Sequence, residues 1–334
     1  KSSVPICAPP DRCKRGMAHR VAVYLVLILC AAAPYPTGAF SQGAVSPSGA
    51  LRTSLVRPHP LRSPRLTSAP SEIPRRAHLI SCSPQMVAQD RHVQVAPTFT
   101  VPEGKMGDMK ALWPTFYDAT KKGTDSCLYY GFTEQGNKVF CREGYKDAAG
   151  VLAHLGDVDA PLKQTMEIVG PGGLDLAIYG PQSELDKLKD ALTPLGAKFF
   201  AMSEGAMWFD RETKGSKDTH VTIFPVFNVQ EGKMEEFQAG FPAFYEATKG
   251  GSKECLYYGF ATRGNQVFCR EGYASAAGCL EHLGDVKAAL GASMKLATVD
   301  LAVMGPAGEL KKLEEAMPTD RWEHWVADGG SFWK

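Results

Sequence analysis

Between residues 91 and 210 the apolar positions change period several times, and each change marks an element. His92 to Val101 reads as a strand. From Gly104 to Lys122 the period becomes helical, with Met109, Leu112, Phe116 and Thr120 on one face. Cys127 to Thr133 predicts a strand, Gly136-Asn137 a turn, and Val139 to Tyr145 the hairpin partner. Asp147 caps a helix through Leu155 that resumes over Val158 to Val169. Leu174 to Tyr179 is a strand, Ser183 to Leu192 a helix ended by Pro194, and Lys198 to Phe209 a last extended segment. Pro97, and Pro225 further along, predict a bulge or strand end in the strands that hold them.

The same pattern returns about 128 residues later. Cys127-Leu-Tyr-Tyr-Gly-Phe132 recurs as Cys255-Leu-Tyr-Tyr-Gly-Phe260, and Val139-Phe-Cys-Arg-Glu-Gly-Tyr145 as Val267-Phe-Cys-Arg-Glu-Gly-Tyr273. His154-Leu-Gly-Asp-Val158 recurs as His282-Leu-Gly-Asp-Val286, and Gly180-Pro181 matches Gly305-Pro306 after a three-residue deletion. Copies of this length are domain-sized rather than solenoid-sized. Repeat 1 is assigned to residues 91–210, a linker to 211–218 and repeat 2 to 219–334. The order βαββαβ with an extra helix and strand is a ferredoxin-like α+β layout that leaves one sheet face apolar. Two copies in one chain bury those faces against each other, so an intramolecular pseudo-dimeric α+β barrel, monomeric as a chain, is expected.

Charge and composition separate this body from what precedes it. Of 37 basic and 36 acidic residues, 11 and 2 lie in residues 1–88, leaving 26 basic against 34 acidic in the remainder. A body of that sign disfavours nucleic acid and anionic membranes as partners. Residues 1–16 read as possible upstream sequence before Met17. Residues 17–39 then read as a signal peptide, because the apolar run from Val21 to Ala33 has secretory length and is too short to span a bilayer. Residues 40–88, led by Phe40 and rich in Ser, Pro and Arg with Glu72 as the only acid, read as a disordered transit peptide. The pair resembles the bipartite presequence of proteins imported into complex plastids of algae, which implies a plastid stroma destination; secretion with a basic pro-segment is the alternative. Five cysteines remain beyond this region, Cys127, Cys141, Cys255, Cys269 and Cys279, an odd number without a C-x-x-C pair. Core thiols are expected at Cys127 and Cys141, which lie out of register for a disulfide.

Hairpin parity sorts the candidate chemistry. With an even loop at Gly136-Asn137, Leu128, Tyr130, Phe132, Cys141, Glu143 and Tyr145 share one sheet face, and Cys127, Tyr129, Phe140 and Arg142 the other. Glu143 on an apolar face needs a partner, and His154 on the next helix is the candidate. Glu271, His282 and Tyr258 repeat the arrangement. Such a trio either locks helix to strand as a structural hydrogen bond or removes a proton from a phenol. Arg142 and Arg270 are placed either on an anionic or quinone oxygen or on an acid across the barrel interface. His92 and His220 are expected at strand ends or on the surface. No histidine pair has metal-ligand spacing, so no metal is expected.

The Gly-Lys-Met sequence opening the first helix, the Tyr-rich strand, the Glu-x-Tyr strand end and the His eleven residues after the Glu resemble the antibiotic biosynthesis monooxygenase superfamily. The similarity spans both repeats. It implies a dimeric α+β barrel and, from the cofactor-free oxygenases of the superfamily, a small aromatic or quinol-like substrate, O2 and no cofactor; the Asn, Trp and His set of its haem-degrading branch has no match here. It also implies catalytic roles for Tyr130, Glu143 and His154 and for Tyr258, Glu271 and His282. Substrate contacts are assigned to Trp113, Phe116, Tyr129 and Arg142 and to Phe241, Phe244, Tyr257 and Arg270, although core packing accounts equally for aromatics at helical spacing. A non-catalytic barrel serving as a ligand binder, stress protein or accessory subunit is the alternative, and a ligand-sized cavity at the trio discriminates the two.

Overall fold

The computed structural model describes residues 87–334 apart from 210–212, 214, 252 and 318–321. The segments read as upstream sequence, signal peptide and transit peptide lie outside the described residues, except that Val87 and Ala88 already belong to a strand.

Repeat 1 runs β1 (Val87–Gln89), β2 (Val93–Thr100), α1 (Met106–Ala111), α2 (Trp113–Lys122), β3 (Cys127–Gln135), β4 (Lys138–Tyr145), α3 (Ala148–Asp157), α4 (Asp159–Val169), β5 (Leu174–Gly180), α5 (Gln182–Leu192), β6 (Lys198–Met202) and β7 (Met207–Phe209). Repeat 2 runs β8 (Val221–Val229), α6 (Met234–Gln238), α7 (Phe241–Gly251), β9 (Cys255–Arg263), β10 (Gln266–Tyr273), α8 (Ala276–Asp285), α9 (Lys287–Ser293), β11 (Ala297–Gly305), α10 (Ala307–Ala316), β12 (Trp322–Ala327) and β13 (Phe332–Trp333). The helix predicted over Gly104 to Lys122 is two helices, broken at Leu112. Pro114 in the first turn of the second has no N–H to give to Lys110, so the break costs nothing there. The Asp147 carboxylate accepts the Gly150 N–H at 2.8 Å and starts α3 as expected, and Ser275 caps α8 in the same way.

The strands close into a barrel. Hydrogen bonding runs through β3, β4, β2, β5 and β6, crosses to β9, and continues through β10, β8, β11 and β12 back to β3. The ferredoxin-like expectation holds in both repeats, and the crossings are reciprocal. The end of repeat 1 pairs with β9 of repeat 2, while the end of repeat 2 pairs with β3 of repeat 1.

Each helical layer covers the outer sheet face of its own repeat. Two apolar clusters lie there, one around Val95, Phe116, Tyr130 and Val139 and one around Ile223, Phe244, Tyr258 and Val267. The barrel interior is filled by Phe140, Tyr179, Phe200, Phe268, Met304 and Trp325.

Register explains which residues face which side. Gln135 pairs with Lys138, so Gly136, with φ 57°, and Asn137 form a two-residue turn, and Tyr130 pairs with Glu143. The even loop is as expected, but a bulge between Cys127 and Tyr129 moves Cys127 onto the helix side and Leu128 into the interior. Pro97 and Pro225 do not end their strands. Val95 pairs with Glu143 and Thr98 with Phe140 in one unchanged register, so the ladder to β4 merely has a gap where the proline lacks a donor. The five cysteines are buried thiols that form no disulfide with one another.

Candidate functional site

In each repeat the paired strands and the helix after them bring the same trio together. Tyr258 pairs with Glu271 across β9 and β10, and α8 carries His282 over them with its ring centroid 5.0 Å from Tyr258 and 5.1 Å from Tyr273. Glu271 Oε2 stands 3.4 Å from His282 Nε2 and accepts the Tyr273 hydroxyl hydrogen. In repeat 1 Glu143 Oε2 and His154 Nε2 are also 3.4 Å apart, Tyr145 donates to Glu143, and the Tyr130 and His154 rings lie 5.2 Å apart. Glu143 and His154 are 6% and 4% exposed, and their counterparts 5% and 1%.

Burial decides the protonation of these groups. It pushes Glu143 up to about 8 and Glu271 up to about 7, each opposed by the tyrosine donor. Burial also pulls His154 and His282 down to about 3. Both imidazoles are therefore neutral at physiological pH, so the contact joins neutral groups below the glutamate's titration and is not an ion pair. Burial raises Tyr130 and Tyr258 far above the usual phenol range, which leaves them as donors.

The two sites differ in the space they leave. In repeat 2 a cavity of about 370 Å³ is floored by Tyr258, Glu271 and His282 and walled by apolar side chains, among them Phe244, Leu290 and Leu301. The equivalent space in repeat 1, beside Tyr130, Glu143 and His154, measures about 70 Å³. Only the larger reaches the size range of small-molecule sites.

Of the aromatics assigned to substrate, Phe116 and Phe244 line these spaces. Trp113 and Phe241 instead stack on Phe132 and Phe260, with centroids 5.2 and 4.1 Å apart. Tyr129, Arg142, Tyr257 and Arg270 lie away from both spaces. Strand alternation turns them into the barrel interior, on the opposite side of the sheet from the trio.

There Arg142 and Arg270 meet acids across the barrel interface, one of their two expected placements, in a network whose histidines sequence reasoning placed elsewhere. Arg142 Nη2 meets Asp218 at 2.8 Å and its Nη1 donates to the His220 carbonyl and Thr222; Arg270 meets Asp90 at 2.6 Å and donates to the His92 carbonyl. Each arginine thus reaches into the other repeat. His92 and His220, expected at strand ends or on the surface, are 4% and 2% exposed. Their Nδ1 atoms face Asp90 and Asp218, and their Nε2 atoms the Tyr129 and Tyr257 hydroxyls at 3.1 and 2.9 Å. Burial works against the ionised Asp218, but Arg142 and His220 outweigh it and hold the carboxyl below its usual range. Burial, with Arg142 adding to it, lowers His220 to about 4, so a neutral imidazole donates to the aspartate and accepts from the tyrosine. The signal was present as Asp-x-His in both copies, at Asp90 and Asp218, just outside the repeat boundaries drawn from the longer matches.

Gly144 and Gly272 belong to this geometry. A Cβ on Gly144 would stand 2.5 Å from the Tyr129 ring, and one on Gly272 2.5 Å from that of Tyr257. In the Glu-Gly-Tyr motif the outer residues thus face the helices while the glycine lets a tyrosine lie across the strand.

The closed sheet with helices on its outer face makes this an α+β barrel of the dimeric kind, with both halves in one chain. The chain is 32% identical to MupZ from Pseudomonas fluorescens over 37% of its own length and 97% of MupZ, with a TM-score of 0.33. At that identity over nearly all of MupZ, the chain belongs to the family that includes it. Two provisionally assigned monooxygenases are similar at low identity. That from Lactobacillus acidophilus NCFM shares 11% over 64% of this chain and 92% of its own, with a TM-score of 0.45. That from Fusobacterium nucleatum shares 14% over 62% and 88%, with a TM-score of 0.46. No protein-family model and no curated protein matches the chain.

Proposed function

We propose that the protein is a cofactor-independent, monooxygenase-like oxidoreductase of a small aromatic or quinol-type substrate, using O2, in a plastid reached through its presequence. The observation that carries this reading is the apolar cavity whose polar floor is Tyr258, Glu271 and His282. A base that titrates near 7 in a dry pocket suits a phenol, because proton transfer becomes nearly balanced once solvent is excluded. Glu271 takes the phenolic proton, the neutral His282 beside it fixes the carboxylate, and the apolar walls hold the ring system flat. The phenolate is electron-rich enough to react with O2 at a hydrogen-bearing ring carbon ortho or para to its oxygen. One oxygen atom becomes the new quinone carbonyl, and the other leaves as water with the phenolic hydrogen and the displaced ring hydrogen. The substrate loses four electrons and O2 gains four, so no further reductant is consumed. The test is O2 uptake by the mature protein over a panel of naphthols and hydroquinones, without added metal or flavin. Substrate-dependent uptake lost in Glu271→Gln is expected; no uptake across the panel overturns the reading.

A further inference from the structure

The two repeats carry the same trio, yet the chain around it changes length at one place. The helix over repeat 1's site, α4, is eleven residues long and its last turn packs Met166 into the core at 5% exposure. Its counterpart α9 has seven residues, and Met294, the match of Met166, is 42% exposed. The three-residue deletion lies just beyond this point. Where repeat 1 completes the helix and turns through Gly170-Pro-Gly-Gly173, repeat 2 enters its strand early, at Ala297 rather than at a match of Leu174. Leu176, which closes the wall of repeat 1, is buried, while its match Leu301 is partly exposed. The shorter helix and the exposed Met294 border the larger of the two spaces, about 370 against about 70 Å³.

We infer that the chain carries one working site, in repeat 2, and that the Tyr130–Glu143–His154 trio of repeat 1 is a packed structural copy. The site takes a planar apolar ring system with one hydroxyl at its inner end, entering past Met294 and Trp322. A dry apolar cavity of roughly 150 Å³ holds one benzene ring, so the repeat 2 cavity has room for a two-ring system and the repeat 1 space for none. This inference rests on the proposed function for its choice of ligand class, but not for the number or place of the sites.

The test is an anaerobic calorimetric titration of the mature protein with 1-naphthol. One equivalent per chain is expected. Val299→Trp, which fills the repeat 2 cavity from its half-buried wall, should weaken binding at least tenfold, and Leu174→Trp at the matching position should not. Thermal midpoints of both variants establish that they fold, and Met166→Ala, which trims the residue that fills repeat 1, should add a second, weaker equivalent. Two equivalents in the unaltered protein, sensitivity at Leu174 instead of Val299, or no saturable binding overturns the inference. One equivalent placed in repeat 2 without any O2 uptake overturns the proposed function and leaves the single site standing.

Discussion

The Arg142 guanidinium of one repeat meets the Asp218 carboxylate of the other at 2.8 Å with both side chains fully buried, and Arg270 with Asp90 repeats the contact. Removing one member of such a pair strands the other as an uncompensated buried charge, at a cost of about 3 to 5 kcal/mol. Arg142→Met should therefore lower the urea midpoint strongly. A double-mutant cycle with Asp218→Asn should show coupling between the repeats, and additive effects would show that the contact does not join them.

Separately expressed repeats should be poorly soluble or self-associate. Each lacks the strands that the other supplies to its sheet, and each exposes its half of the barrel interior. Sedimentation of the two halves checks this; two well-behaved monomers would contradict it.

Gly144→Ala and Gly272→Ala should each destabilise by on the order of 1 to 3 kcal/mol, because the added methyl enters a fully buried tyrosine ring. Chemical denaturation measures the loss. If the clash is the cause, Tyr129→Leu should recover part of it in the Gly144→Ala background and none in the Gly272→Ala background.

The glutamates impose a pH dependence with a defined sign. Unfolded, they ionise near 4.5; folded, they keep the proton until about 8 at Glu143 and about 7 at Glu271. Across that window the native state binds more protons than the unfolded chain, so stability falls as pH rises. The histidines act oppositely, adding stability as pH rises from about 3 to 6.5, and between 4.5 and 6.5 the two effects offset each other. The double variant Glu143→Gln/Glu271→Gln cannot ionise at these positions. Its thermal midpoint should gain on the unaltered protein between pH 4 and pH 8.5, and a difference that does not vary with pH would rule out neutral buried glutamates.

If the trio of repeat 2 is catalytic, His282→Ala should slow O2 uptake by roughly 10²-fold or more. His154→Ala should leave uptake unchanged and lower the thermal midpoint. An unchanged rate with a lowered midpoint in His282→Ala would remove the catalytic assignment.

For the presequence, Edman sequencing of the native protein should place its N-terminus between about Ser81 and Val87. A later cut would unpair β1 from β7 and approach Asp90, which Arg270 requires. Retention of residues 40–80 in a secreted product would remove the plastid proposal.

Much of this was legible because strand parity and helix period act locally. The two-residue turn at Gly136-Asn137 and the spacing to His154 were enough to bring Tyr130, Glu143 and His154 together. Cys127 was placed on the wrong face because a bulge is a one-residue irregularity with no compositional mark. Arg142 and His220 were harder. Their partners lie 76 residues apart or in the Asp-x-His segment, and the barrel closure that joins them is a long-range event. The deletion after Met294 was visible in the alignment of the copies, but its effect on volume depends on how α9 packs over the sheet, which no local pattern encodes.

The reciprocal pairing of the chain ends also bears on how the two sites came to differ. In a symmetric pair of identical chains, a deletion beside the site appears in both cavities at once, so any gain in room is bound to a doubled loss of packing. Joining the copies in one chain removes that coupling. One half can give up helical turns for volume while the other keeps its core filled and, through Phe332 packed into repeat 1 and Met207 into repeat 2, continues to brace its neighbour.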